Sequence, residues 1–177
     1  MSVAAPVRLF FALWPEPKLQ ASFYAAGEKL YRHCGGSRTR RENIHLTLAF
    51  LGAVEAPRLE RVIAVAERIQ LPAFTLVFPR LGWWRQNQVA WAALAETPPL
   101  LLDIVKALQR GLAQEGFKFD ERRYLPHVTL LRKANCPDGV VESHPIRWQV
   151  NEFALVRSTL REDGAHYAIV KRWPLAD

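Results

Sequence analysis

The stretches Ile44-His45-Leu46-Thr47-Leu48 and His127-Val128-Thr129-Leu130 contain the same polar pair, a histidine followed two positions later by a threonine. With five His and six Thr in 177 residues, chance should produce only about 0.17 such pairs. Both stretches have the composition of strands, and the side chains at positions i and i+2 of a strand point to the same face. The histidine and threonine of each stretch therefore emerge together, with aliphatic residues behind them. If the two strands lie side by side, one groove receives two imidazoles and two hydroxyls.

This set of side chains suits cleavage of a phosphodiester without a metal ion. In-line displacement at phosphorus places the attacking and leaving oxygens on opposite sides. A neutral histidine can take a proton from water while a protonated histidine gives one to the departing oxygen. The hydroxyls of Thr47 and Thr129 can donate hydrogen bonds to the non-bridging oxygens, so both are predicted to bind phosphate. Because the two motifs are nearly symmetric, the residues alone leave open which histidine is the acid.

Four segments carry a resemblance to a known family. Residues 42–52 and 123–132 resemble the paired motifs of the 2H phosphoesterases, and among them the RNA 2′,3′-cyclic phosphodiesterases. Residues 8–13 are similar to the opening strand of that family and residues 167–173 to its closing strand. The resemblance implies a bilobal, pseudo-twofold fold that uses no metal ion. It implies hydrolysis of a terminal RNA 2′,3′-cyclic phosphate, or of a small cyclic nucleotide, to a 2′-phosphate. It also implies that His45 is the proton donor and His127 the proton acceptor.

Two further residues are candidates for substrate contact. The resemblance implies that Arg132 binds the phosphate or the base, which suits the planar donor fork of arginine. On a regular strand Arg132 would face away from His127 and Thr129, so this contact requires the strand to twist or to end near Leu131. The resemblance also implies that an aromatic residue of the opening strand stacks on the terminal base, and Phe11 matches that position.

Strand and helix patterns alternate along the chain, which predicts an α+β fold. A helix, a basic stretch and a His-x-Thr strand occur in that order twice, near residues 19–48 and 101–130. No Pro/Gly/Ser-rich linker separates the two copies. We therefore expect a single bilobal domain over residues 1–177, with antiparallel sheets lining a central groove and helices packed outside.

The charge balance indicates a polyanionic partner. The chain has 24 Lys and Arg against 17 Asp and Glu, a formal charge of +7, which suits RNA or a nucleotide. Basic residues also flank both motifs, where they would attract an RNA strand: Arg38, Arg40, Arg41, Arg122, Arg123 and Lys133.

The cysteines and the apolar runs bear on the compartment. Cys34 and Cys136 have neither a disulfide-framework nor a metal-ligand spacing, so we expect two free thiols in a reducing cytosol. The chain shows no signal-peptide pattern and no run of about 20 apolar residues. These features predict a soluble, cytoplasmic protein, and we expect a monomer without a cofactor.

Two alternative functions stay open. The same site could run in reverse and join a 5′-hydroxyl to a cyclic end through a 2′-5′ link, although bulk water at about 55 M favours hydrolysis. The groove could instead belong to a non-enzymatic module that binds RNA ends. Binding alone, however, does not require two proton-transfer groups.

Overall fold

One antiparallel sheet forms the frame of the computed structural model, which describes residues 5–137 and 141–176. Within those residues the sheet has nine strands: β1 (Val7–Leu13), β2 (Ser37–Arg38), β3 (Leu46–Val54), β4 (Phe74–Trp84), β5 (Val89–Ala93), β6 (His127–Arg132), β7 (Val141–Val150), β8 (Glu152–Arg161) and β9 (Gly164–Pro174). The α-helices are α1 (Pro17–Cys34), α2 (Leu59–Glu67) and α3 (Pro99–Gln114). Single 3-10 turns cover Arg41–Asn43 and Ala56–Arg58.

The strand order places the two motifs at the centre of the sheet. The order is β7-β4-β5-β6-β3-β1-β8-β9, with β2 paired to β6. β6 and β3 are therefore neighbours, and three strands extend from each of them. The predicted α+β class is confirmed, but the groove is lined by one continuous sheet instead of several. The join is the pairing of Leu46 in β3 with Val128 in β6.

The helices form where apolar side chains recur at helical spacing. α1 begins at a proline, which suits the first turn, and it buries Phe23 and Leu30. Its chain turns away at Gly35, whose φ of 60° favours glycine. The buried stripe of α3 consists of Leu101, Ile104, Val105, Leu108 and Leu112. No helix within residues 5–137 and 141–176 combines the length and the apolarity needed to cross a membrane.

Each of the two long helices packs against the motif strand that does not follow it in the sequence. α1 precedes β3 in the sequence but packs against β6, whereas α3 precedes β6 and packs against β3. The approach of α1 is close, since a Cβ atom at Gly27 would lie 3.4 Å from the Cβ atom of Leu130. Each helix therefore supports the motif strand that follows the other helix.

A β-bulge follows each motif threonine. In β6, Thr129 and Leu131 pair with adjacent residues of β5, so Leu130 is an extra residue in the ladder. In β3, Thr47 and Ala49 likewise pair with adjacent residues of β1, and Leu48 is the extra residue. Each bulge shifts the alternation of side chains by one position. As a result, the residue three positions after each threonine returns to the threonine's side of the sheet.

The prediction of two free thiols is wrong, because Cys34 and Cys136 form a disulfide in the structure. The end of α1 and the segment after β6 meet where β2 pairs with β6, and this brings the two Cα atoms to 4.2 Å. The backbone supports the same contact, since Asn135 donates its N–H to the Cys34 carbonyl at 2.9 Å. The cysteines are 102 residues apart, so only the tertiary fold reveals the pairing.

Candidate active site

The motif side chains lie on one face of the central strand pair. Leu46 and Val128, which pair across β3 and β6, are both fully buried. Their sequence neighbours therefore point to the opposite face, and antiparallel register sets each histidine across from the threonine of the other motif. The groove on that face has a volume of 390 Å³ and is lined by His45, Thr47, His127 and Thr129.

Both imidazoles are held by the same kind of hydrogen bond. Nδ1 of His45 donates to the carbonyl oxygen of Asn43 at 2.7 Å, and Nδ1 of His127 donates to that of Leu125 at 2.8 Å. A carbonyl oxygen can only accept, so Nδ1 carries a proton in both rings. Nε2 is then the atom that exchanges a proton. It accepts one when the ring is neutral and donates one when the ring is an imidazolium.

Aromatic rings enclose His45. Trp14 stacks on the imidazole with ring centroids 5.1 Å apart and planes 6° apart, and Phe10 and Tyr167 lie at 5.0 and 5.3 Å. This burial disfavours the charged ring and lowers the pKa of His45 to about 4, while the backbone hydrogen bond opposes the shift. The guanidinium of Arg132 lowers the pKa further. Without an anion beside it, His45 is therefore uncharged at neutral pH.

His127 has a different surrounding. The ring of Trp84 meets it edge-on, with centroids 4.6 Å apart and planes at 75°. Burial lowers the pKa of His127, its backbone hydrogen bond opposes the shift, and the charge of Arg132 lowers the pKa further. A neutral Nε2 at physiological pH is the state that can accept a proton. The sequence gives no signal for the Trp84 contact, because nothing in its pattern separates this tryptophan from the packing residues around it.

Two hydroxyl groups make hydrogen bonds at the motifs, and that of Tyr124 joins the two motif segments. Thr47 Oγ1 lies 3.1 Å from Nε2 of His45, and the hydroxyl donates to this nitrogen when the ring is neutral. The hydroxyl of Tyr124 donates to the carbonyl oxygen of Thr47 at 3.0 Å. Burial raises the pKa of Tyr124, so the group remains a neutral donor. The hydroxyl of Tyr124 therefore adds a bond between the two motif segments.

Arg132 lines the groove, because the bulge at Leu130 returns it to the side of Thr129. The equivalent position of the first motif is Phe50, which the matching bulge also turns into the groove. The Phe50 ring is 37% exposed, and the guanidinium carbon of Arg8 lies 5.7 Å from its centroid. The position of Phe50 could not be predicted from the sequence, since strict alternation from Thr47 places it on the buried face.

The prediction that Phe11 stacks on a base is wrong. Phe11 is fully buried, and its ring packs against Phe153 and Trp173 at centroid distances of 6.4 and 6.0 Å. Its neighbour Phe10 points to the other side of β1 and contacts His45. Because successive strand side chains alternate, only one of the two phenylalanines can face the groove.

The groove continues into a smaller branch beside His45. This branch has a volume of 240 Å³, and Arg38 and Arg40 from the predicted basic stretch line it. In contrast, Arg122 forms an ion pair with Asp120. A larger cavity, of 970 Å³, lies between α1 and β7 and contains neither motif histidine. In the part of the chain that the structure describes, no three His, Cys, Asp or Glu side chains are grouped as metal ligands would be.

Comparison with known proteins assigns the chain to a family. The sequence model described as LigT-like phosphoesterase matches two segments, residues 13–91 and residues 94–167. Each matched segment contains one His-x-Thr motif. The chain belongs to the LigT-like phosphoesterase family. This agrees with the resemblance to the 2H phosphoesterases that the motifs indicate.

Relatives of this LigT-like phosphoesterase span its whole length. An RNA 2′,3′-cyclic phosphodiesterase of Escherichia coli is 31% identical over 98% of this chain and 99% of its own. One from Thermotoga maritima is 27% identical over 93% of both chains. The crystal structure of E. coli LigT complexed with 3′-AMP has a TM-score of 0.89 and 31% identity, covering 97% of this chain and 99% of the other.

Proposed function

We propose that this chain is an RNA 2′,3′-cyclic phosphodiesterase, which hydrolyses the terminal cyclic phosphate to a 2′-phosphate and a 3′-hydroxyl. The observation that carries the proposal is the pair of Nε2 atoms in one groove, each ring fixed through Nδ1 to a backbone carbonyl. Full-length relatives named for this activity support it.

The reaction follows from the positions of the proton-transfer groups. Nε2 of His127 takes a proton from water as the water oxygen attacks phosphorus. The bond from phosphorus to O3′ breaks on the opposite side, and Nε2 of a protonated His45 gives its proton to that oxygen. Charge that develops on the non-bridging oxygens is met by the hydroxyls of Thr47 and Thr129. Neither proton transfer requires a metal ion or a cofactor.

The assignment of the acid and the base rests on the family resemblance, because burial lowers the pKa of both histidines and so does not separate their roles. His127 in its neutral form is ready to accept a proton. His45 is enclosed by rings and uncharged, so it must gain a proton when a phosphate anion arrives. The negative charge of the substrate favours protonation of His45, since an opposite charge within about 4–6 Å stabilises the imidazolium.

Two planar groups in the groove can stack on the terminal nucleobase. The exposed ring of Phe50 and the guanidinium of Arg132 both line the groove beside the motif threonines. Stacking of a base on an aromatic ring contributes about 1–3 kcal/mol and tolerates any base. Phe50 therefore takes the role that the sequence analysis gives to Phe11.

The experiment is to incubate the protein with an RNA that ends in 2′,3′-cyclic phosphate, in the presence of EDTA, and to identify the terminus. A 2′-phosphate is expected. Ligated 2′-5′ products as the main outcome would instead favour the reverse reaction, and unchanged RNA that still binds would favour the binding module. Loss of activity in EDTA that a divalent ion restores would overturn the two-histidine mechanism.

Single substitutions then test the roles. His45→Ala and His127→Ala should each lower the rate by about 10²–10⁴, and His33→Ala, outside the groove, is the matched control. A nitrophenyl phosphodiester, whose leaving group needs no proton, should restore activity to His45→Ala far better than to His127→Ala. The opposite pattern of rescue would reverse the two roles.

A further inference from the structure

The branch beside His45 is placed on one side of the reacting phosphate. It shares His45, Thr129, Arg132, Ala165 and Tyr167 with the main groove, but neither His127 nor Thr47 lines it. The branch therefore opens next to His45, the proton donor of the proposed reaction, and away from His127, the general base. In an in-line displacement the attacking water enters from the side of the general base, His127. The ribose, which holds the departing O3′, lies on the side of the donor.

The side chains of the branch suit a phosphodiester. Three arginines line it against one carboxylate, that of Asp163. Arg40 neutralises this carboxylate through an Nη2 to Oδ2 contact of 2.9 Å, and His166 lies 2.8 Å from the other oxygen. Ser37, Thr39 and Asn43 also line the branch, and the side-chain amide of Asn43 donates to the carbonyl oxygen of Ala165 at 2.9 Å. The Oγ1 atom of Thr39 is buried without a hydrogen-bond partner, so one donor in this region is unsatisfied.

Arg38 lines the branch and packs its guanidinium against two aromatic rings. Its guanidinium carbon lies 5.2 Å from the ring centroid of Tyr24 and 5.4 Å from that of Tyr31. Its charge is paired with Glu28 at 3.3 Å, but both side chains are more than a third exposed. An exposed ion pair of this kind contributes little to stability, so a phosphate can take the place of the carboxylate at low cost.

The size of the branch sets what it can hold. Its 240 Å³ is below the roughly 300–1,000 Å³ of a pocket that encloses a whole ligand. A ribose and its phosphate fit this space, while a nucleobase would extend beyond it.

We propose that this branch binds the penultimate nucleotide of the RNA, with Arg38 at the phosphodiester on the 5′ side of the terminal nucleoside. The inference rests on the proposed function and extends it to the substrate class. Oligonucleotide ends are preferred, and a mononucleoside 2′,3′-cyclic phosphate reaches the same histidines without contacts in the branch.

The test compares adenosine 2′,3′-cyclic phosphate with a dinucleotide and a trinucleotide that end in the same cyclic group. In the unaltered protein, kcat/KM should be at least about tenfold higher for the dinucleotide, the effect of one charge-assisted hydrogen bond. This advantage should shrink as salt rises, because phosphate contacts release counterions. Equal kcat/KM for mononucleotide and dinucleotide would overturn the branch proposal and leave the phosphodiesterase proposal intact. No hydrolysis of any of the three substrates would refute the proposed function itself.

Variants of Arg38 locate the effect. Arg38→Ala should remove most of the dinucleotide advantage, mainly through KM, and leave hydrolysis of the mononucleotide unchanged. Glu28→Gln, which removes the competing carboxylate, should strengthen the preference for the dinucleotide. Arg61→Ala, on the exposed side of α2, is the matched control and should change neither substrate. An equal loss on both substrates in Arg38→Ala would show that Arg38 supports the fold and not a nucleotide site.

Discussion

An anion bound in the groove should return a proton to His45. With a pKa of about 4, only about one free molecule in a thousand carries this proton at pH 7. Nε2 faces the groove, so a bound phosphate oxygen lies about 4 Å from the ring. At an effective dielectric constant of about 20, one negative charge at that distance stabilises the imidazolium by about 4 kcal/mol. Since about 1.4 kcal/mol corresponds to one pKa unit, the pKa should rise by about three units, to about 7.

The measurement is a pH titration of the histidine ring protons by NMR, in the free protein and with adenosine 2′-phosphate bound. The His45 signal should titrate near its low free value and then move up by about three units on binding. Binding at pH 7 should also take up protons, which calorimetry in two buffers of different ionisation heat can count. His33 lies outside the groove and serves as the internal reference.

The kinetics give an independent reading of the same shift. The pH profile of kcat/KM reports the free enzyme and that of kcat reports the complex. The alkaline limb should therefore fall at a much lower pH in kcat/KM than in kcat. Two results would contradict this expectation: a pKa near 6.5 for free His45, or a pKa of His45 that does not change when the phosphate binds. In the first case the aromatic enclosure does not desolvate the ring, and in the second His45 does not face the anion.

Three further predictions test other parts of the site and the fold. Thr47→Ala and Thr129→Ala should each slow turnover by about tenfold to a hundredfold, the effect of losing a hydrogen bond to a charged group; Thr75→Ala is the control, and normal rates in both motif variants would assign the threonines to the strands alone. Phe50→Ala should raise KM for nucleotide substrates roughly fivefold to 150-fold, which corresponds to about 1–3 kcal/mol of lost stacking, with little change in kcat; an unchanged KM would show that the nucleobase stacks on another surface. Reduction of the disulfide, or Cys34→Ser, should lower the free energy of unfolding by about 2–4 kcal/mol, because the bridge closes a long loop in the unfolded chain. Urea unfolding with and without reductant measures this change, and two titratable thiols in the native, non-reduced protein would contradict the bridge.

The motif strands and the helices could be predicted from the sequence because their patterns are local. The apolar stripe of α3 and the doublets at His45 and His127 depend only on residues a few positions apart. The groove that unites the doublets follows once the two strands are neighbours. The family resemblance adds what near-symmetric motifs cannot supply, the assignment of acid and base.

Features that depend on pairing between distant residues were beyond the sequence. Strict alternation fails at the bulges after Thr47 and Thr129, where the neighbouring strand decides that one residue is extra. Alternation alone therefore places Phe50 in the core and Arg132 on the face opposite to Thr129, and only the bulges bring both side chains into the groove.

The strand β7 likewise could not be predicted from a local sequence pattern. Pro145 has no N–H to donate, so a sequence pattern counts it against a strand. The structure accommodates it at the edge of the sheet, where β7 pairs with β4 and the register shifts between Phe78 and Arg80. Edge position and register are properties of the whole sheet, and no local window contains them.

The crossed packing of α1 on β6 and of α3 on β3 also limits how this chain can change over generations. A substitution that displaces α1 moves the strand that bears His127, and one that displaces α3 moves the strand next to His45. Selection on either proton-transfer group therefore acts on both halves of the gene at once. Neither half can be exchanged for an unrelated segment without removing the support of the other motif.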